Sequence, residues 1–125
     1  MPQVAVDTLE QAAVALESAV LDHAHFERMT FGDRSLQLEV LQLFDRQAEM
    51  LLGRMRISEP AAVATLAHTL KGSATGIGAE RVARAAEDAE CSAAKAPAEC
   101  GRAIDRLAQA VDEVRAEIGA LLRGQ

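Results

Sequence analysis

Residues 58–78 read SEPAAVATLAHTLKGSATGIG, and the reading of this stretch decides the fold. Ser58 or Glu59 suits a helix cap, and Pro60 falls in the first turn, where its missing N–H removes no intrahelical bond. At about 100° per residue with Leu66 at zero, Val63, Leu70, Ala74 and Ile77 all lie within about 80° of it. They form one apolar stripe, so the spacing predicts a helix packed on a core through that side. The helix is expected to reach about Thr75, after which Gly76 and Gly78 bracket a tight connection.

His68 falls on the opposite side, at about 200°, with Ala61, Ala64, Lys71, Gly72 and Thr75 grouped within about 60° of it. These neighbours are small apart from one cation at i+3, which leaves the imidazole standing clear. Gly72 costs about 1 kcal/mol relative to Ala in a helix interior, and its bare backbone lets a bulky group approach the ring. Neutral imidazole is a competent nucleophile near physiological pH, and Lys71 can place a positive charge beside a phosphoryl oxygen on it. On the wheel alone, an ordinary exposed histidine beside a surface lysine is the plainer reading.

Upstream, Gly32 and Asp33 read as a turn and an N-cap, followed by a helix from about Arg34 to about Met55. Leu36, Val40, Leu43, Phe44 and Leu51 recur on one face of it. Leu38, Leu41 and Leu52 lie to one side of that row. They serve either a second neighbouring helix or an apolar patch kept for a partner. A short helix fits the segment 22–32, which mixes polar residues with Phe26, Met29 and Phe31. Thr8 and Gln11 have capping-box spacing ahead of Leu9, Ala13, Leu16 and Val20, predicting an N-terminal helix over about residues 8–22.

Downstream, Ala79 begins a helix of small and charged residues that reaches about Ala96, where Pro97 punctuates it. A last helix, from about Ala98 to Leu122, carries Ile104, Leu107, Val111, Val114, Ile118 and Leu121 at alternating spacings of three and four. Long amphipathic segments with short connections imply antiparallel neighbours. The expectation is an all-α single domain: an antiparallel four-helix bundle over about residues 33–123, with the additional N-terminal helix.

Composition agrees, since the 125 residues include no Trp or Tyr and only three Phe. The formal net charge of −6 counts against a dedicated nucleic-acid binder, which needs clustered Lys and Arg. Cys91 and Cys100 lack metal-ligand spacing and are expected to be buried free thiols. The N-terminal residues do not resemble a signal peptide, and no run approaches the roughly 18 apolar residues of a membrane span. No membrane association and a cytoplasmic location are the expectations.

The string His68-Thr-Leu-Lys71-Gly72-Ser73-Ala-Thr-Gly-Ile-Gly78 resembles the signature of histidine-containing phosphotransfer (HPt) domains, His-x-x-Lys-Gly with a later glycine. The similarity extends into AERVARAAEDAE and back through FGDRSLQLEVLQLFDRQAEMLL, covering most of residues 26–95. The resemblance implies a phosphorelay in which His68 accepts a phosphoryl group from a receiver-domain aspartate and donates it to another. It implies that Lys71 offsets phosphate charge, that Gly72 clears space, and that Gly78 marks the turn into the next helix. Glu90 stands where relatives often place a Gln or Glu within reach of the imidazole. The alanine-rich fourth helix departs from relatives that carry bulkier apolar residues there.

The implied partners are receiver domains of response regulators or of a hybrid histidine kinase. Docking is expected on the exposed face of the third helix, at Ala61, Ala64 and Thr75, with Leu38 and Leu41 of the second. The chain has no phosphate-cradling loop between a strand and a helix, so it is expected to carry phosphate without ATP-dependent kinase activity. No cofactor is expected, magnesium belonging to the receiver. A monomer suits a histidine that meets two partners in turn. The competing readings are a non-catalytic adaptor, a metal-binding bundle using His23, His25 and His68, and a phosphohydrolase.

Overall fold

The computed structural model describes residues 20–124. Five α-helices follow in order: α1 (His23–Met29), α2 (Arg34–Met55), α3 (Pro60–Ile77), α4 (Glu80–Lys95) and α5 (Cys100–Arg123), with a 3₁₀ turn at Pro97–Glu99. Helices α2 to α5 each pack on the next and α5 returns to α2, closing an antiparallel four-helix bundle. The short α1 lies against α3. The helix expected over residues 8–22 lies outside the described residues except at its end, where Val20 to Asp22 form a bend leading into α1. No helix among the described residues is long and apolar enough to cross a membrane.

Local chemistry sets most boundaries. Asp33 caps α2, its Oδ1 accepting from the Leu36 N–H at 3.2 Å, and Asp22 caps α1 in the same way through the His25 N–H at 3.1 Å. Glu59 precedes α3 without a side-chain cap, and Pro60 opens the helix. Helix α3 runs two residues beyond the expected Thr75, so Gly76 is helical and Gly78 alone ends it, at φ +83°. The N–H groups of Gly78 and Ala79 turn back to the carbonyls of Thr75 and Ala74 at 3.2 and 2.8 Å, satisfying the last turn. Helix α5 starts at Cys100 rather than Ala98 because Pro97–Glu99 tightens into the 3₁₀ turn.

The core stripe of α2 differs from the expected one. Gln37, Leu41, Phe44, Ala48, Leu51 and Met55 are buried, whereas Leu43 is 58% exposed and Leu36 and Val40 are half-buried. The row repeats at spacings of four and three, but a polar Gln37 and a small Ala48 weaken its signature in an otherwise leucine-rich helix. Gln37 is satisfied inside, its Nε2 donating to Glu27 Oε2 at 2.9 Å and to Thr30 Oγ1 at 3.0 Å.

Helix α4 buries Val82, Ala83, Ala86, Ala89 and Ala93, and side chains this small let it approach α3 closely. Helix α5 buries Ile104, Leu107, Val111, Val114 and Ile118, the seam read from sequence, while Leu121 is half-buried. Arg115 ties α5 to α2, its Nε 2.7 Å from Asp45 Oδ1 and its Nη2 3.6 Å from Glu49. The hydrogen bond to Asp45 raises the Arg115 pKa despite some desolvation. At this exposure the pair contributes at most about 1 kcal/mol. Cys100 is buried as expected, but Cys91 is exposed, because its place on α4 falls outside the alanine stripe.

Candidate functional site

The stripe that buries Val63, Ala67, Leu70, Ala74 and Ile77 carries the His68 side chain to the surface, where it is 70% exposed. Its Nδ1 lies 3.1 Å from Glu90 Oε2 and 3.3 Å from Oε1. A carboxylate can only accept, so in the neutral ring this contact places the proton on Nδ1 and the lone pair on Nε2. Nε2 has no hydrogen-bond partner among the described residues. The ring is therefore held at one nitrogen and available at the other.

Lys71, one turn on from His68, points to α4, with Nζ 3.5 Å from Glu87 Oε1. Two cross-helix pairs thus stand side by side: His68 with Glu90, and Lys71 with Glu87. Moving three residues forward along α3 matches three residues back along α4, the register of antiparallel neighbours. Glu87 was not among the residues singled out from sequence. Its spacing from Glu90, which repeats that of His68 and Lys71, is the signal that identifies it once the helices are known to be antiparallel.

Gly72 is exposed, and a Cβ built there would meet nothing within 4 Å. Packing within the chain does not require glycine at this position. Gly78 is the opposite case: a Cβ there would lie 3.0 Å from the Asp22 carbonyl oxygen and 3.2 Å from His25 Cδ2. The Asp22 N–H donates to the Gly78 carbonyl at 2.8 Å, and the His25 ring lies 3.2 Å from the Gly76 carbonyl through Nε2. Together these contacts seat the start of α1 on the α3–α4 turn.

Of the residues expected to dock a partner, Ala61 and Thr75 are exposed on α3, and Ala64 is half-buried. Ala64, Thr65, His68, Thr69 and Glu90 line a shallow hollow around the imidazole. Leu38 and Leu41 do not join this face. Leu41 is 2% exposed in the core, and Leu38 borders a small hollow with His23, Phe26 and Leu121, where α2 meets α1 and α5. The apolar flank of α2 that adjoins α3 is instead a groove lined by Val40, Leu43, Phe44 and Gln47 with Ser73 and Ile77. The expected pair sits on the wrong side because the true core row passes through Leu41.

His23 and His25 are engaged away from His68, His23 with Glu117 at 2.7 Å and His25 with the Gly76 carbonyl. No group of three or more His, Cys, Asp or Glu side chains among the described residues is arranged to hold a metal ion.

Comparison with known proteins places this geometry in a family. The sequence matches the Hpt domain over residues 39–117. The fold is similar to that of histidine-containing phosphotransfer protein B from Pseudomonas aeruginosa PAO1, with a TM-score of 0.80 and 18% identity over 86% of this chain and 98% of the other. It is also similar to a rice protein proposed to be a histidine-containing phosphotransfer protein, with a TM-score of 0.75 and 20% identity over 95% and 94% of the two chains. No curated protein matches the sequence. The Hpt match spans more than half of the residues and includes His68, Lys71, Gly72, Glu87 and Glu90, and the chain belongs to the Hpt domain family.

Proposed function

We propose that the chain is a stoichiometric phosphocarrier of a two-component phosphorelay, accepting a phosphoryl group on His68 from one receiver-domain aspartate and passing it to another. The observation that carries this reading is the exposed imidazole, bound at Nδ1 by Glu90 and unpartnered at Nε2 among the described residues. The Nε2 lone pair attacks the phosphorus of an aspartyl phosphate. As the N–P bond forms, the P–O bond to the aspartate breaks and its electron pair leaves on the carboxylate. Nδ1 keeps its proton, shared with Glu90, whose negative charge offsets the positive charge developing on the ring. Onward transfer is the same step in reverse, with a second aspartate as nucleophile.

Lys71 serves as the cation for the phosphoryl oxygens, and Gly72 leaves the space through which the receiver approaches the ring. Docking is assigned to the exposed α3 face around Ala61, Ala64 and Thr75, extended by Val40 and Leu43 in place of Leu38 and Leu41. Magnesium is assigned to the receiver's acidic pocket, and ATP has no part in the step. Weak, short-lived contacts suit a carrier that must leave one receiver before meeting the next.

The test is to incubate the chain and its His68→Gln variant with radiolabelled phospho-receivers and examine the stability of any label gained. An acid-labile, base-stable label on the wild type alone is the expected result. Failure to label from a broad receiver set, with both proteins folded, would favour a non-catalytic adaptor.

A further inference from the structure

The Lys71–Glu87 pair bridges α3 and α4 at 3.5 Å, with the two side chains 35% and 56% exposed. It adjoins the His68–Glu90 pair, so Lys71 sits between two possible anionic partners. One is Glu87. The other is a phosphoryl group on His68, because Cβ atoms at i and i+3 stand about 5–6 Å apart and the lysine stem is long and flexible.

We infer that Glu87 is a positioning residue that holds Lys71 while His68 is unmodified and competes with the phosphoryl group for it afterwards. The inference rests on the phosphocarrier reading above. A phosphoryl group offers more negative charge and more acceptor oxygens than a carboxylate, so Lys71 changes partner when His68 is phosphorylated. The exchange breaks the Lys71–Glu87 pair, and that loss is subtracted from what Lys71 contributes to holding the phosphoryl group. Glu87 therefore weakens the hold of the site on the phosphoryl group and keeps it ready for onward transfer. A carrier with too firm a grip would retain its cargo.

The measurement is the equilibrium distribution of label between a phospho-receiver and the full chain, for wild type, Glu87→Gln, Lys71→Gln and the double variant. Glu87→Gln keeps the side-chain size and removes the charge. It is expected to shift the equilibrium toward phosphorylated His68 by about two- to fivefold at low salt, the scale of an exposed ion pair, and by less at high salt. In the Lys71→Gln background the same substitution is expected to do markedly less, the non-additivity of two residues that act through each other. An unchanged equilibrium in Glu87→Gln would overturn the inference. So would an equal shift in both backgrounds, which would mean that Glu87 merely repels the phosphoryl group. If the wild type takes no label on His68, the phosphocarrier reading falls too; if it is labelled there and Glu87→Gln has no effect, only this inference falls.

Discussion

Glu90 lies 3.1 Å from Nδ1 of His68, although 22 residues and a helix reversal separate them in the chain. The contact depends on two features distant from the imidazole. Gly78, at φ +83°, ends α3 where α4 can return alongside it, and the alanine stripe of α4 lets the two helices lie close together. A chemically simple arrangement, one imidazole held by a carboxylate from the neighbouring helix, is thus set by backbone geometry at the end of the helix pair.

Substituting Glu90→Ala is expected to slow phosphoryl transfer to His68 by about three- to tenfold, the loss of one partly exposed, charge-assisted hydrogen bond. Glu90→Gln keeps an acceptor without the charge and should fall between. Rapid-quench kinetics with a phospho-receiver would measure both, alongside thermal melts that should scarcely move. A wild-type rate in Glu90→Ala would remove Glu90 from the site.

Gly78→Ala tests the turn. The substitution forces an alanine into the left-handed region and brings its Cβ to 3.0 Å from the Asp22 carbonyl oxygen. A loss of about 1–3 kcal/mol is expected in urea denaturation. Stability equal to wild type would show that the α3–α4 connection can relax without the left-handed residue.

The bundle was legible in sequence because its helices carry separate cues: an aspartate cap before α2, a proline at the start of α3, a glycine at its end, and a three-four seam in α5. His68 was legible as an outward residue because the buried stripe of α3 is narrow and its other neighbours are small. The face of α2 was not. Apolar residues at 36, 38, 40, 41, 43 and 44 surround much of the helix, so its own periodicity could not separate Leu41, in the core, from Leu43, outside it. The core row contains Gln37, whose buried amide is satisfied by Glu27 and Thr30 across a turn that sequence spacing does not reveal. Glu87 was missed for a related reason: its role follows from the register between helices, not from any pattern within one.

At Gly72, stability and transfer are expected to respond in opposite directions. A methyl group meets nothing within 4 Å, so Gly72→Ala should stabilise the helix by about 1 kcal/mol and raise the melting temperature. Gly72→Leu should remain folded yet, if the open space beside His68 is the receiver's approach, slow transfer by about tenfold or more. Transfer at the wild-type rate in Gly72→Leu would show that the space beside His68 is not used.

The α2 helix separates core from exposed surface sharply, since Leu41 and Leu43 are two residues apart with opposite burial. Leu41 is 2% exposed and Leu43 58%. Leu41→Ala should cost about 2–5 kcal/mol through lost burial and the cavity left behind. Any effect on transfer should then follow the folded fraction. Leu43→Ser removes a side chain already largely in water, so stability should change by less than about 0.5 kcal/mol. If the groove that it shares with Val40, Ser73 and Ile77 receives the receiver, the same substitution should weaken receiver binding severalfold, read by titration calorimetry on the folded variant. Unchanged affinity in Leu43→Ser would confine docking to the α3 face around His68. Weakened binding with an intact fold would place the apolar part of the interface on the flank of α2 that adjoins α3.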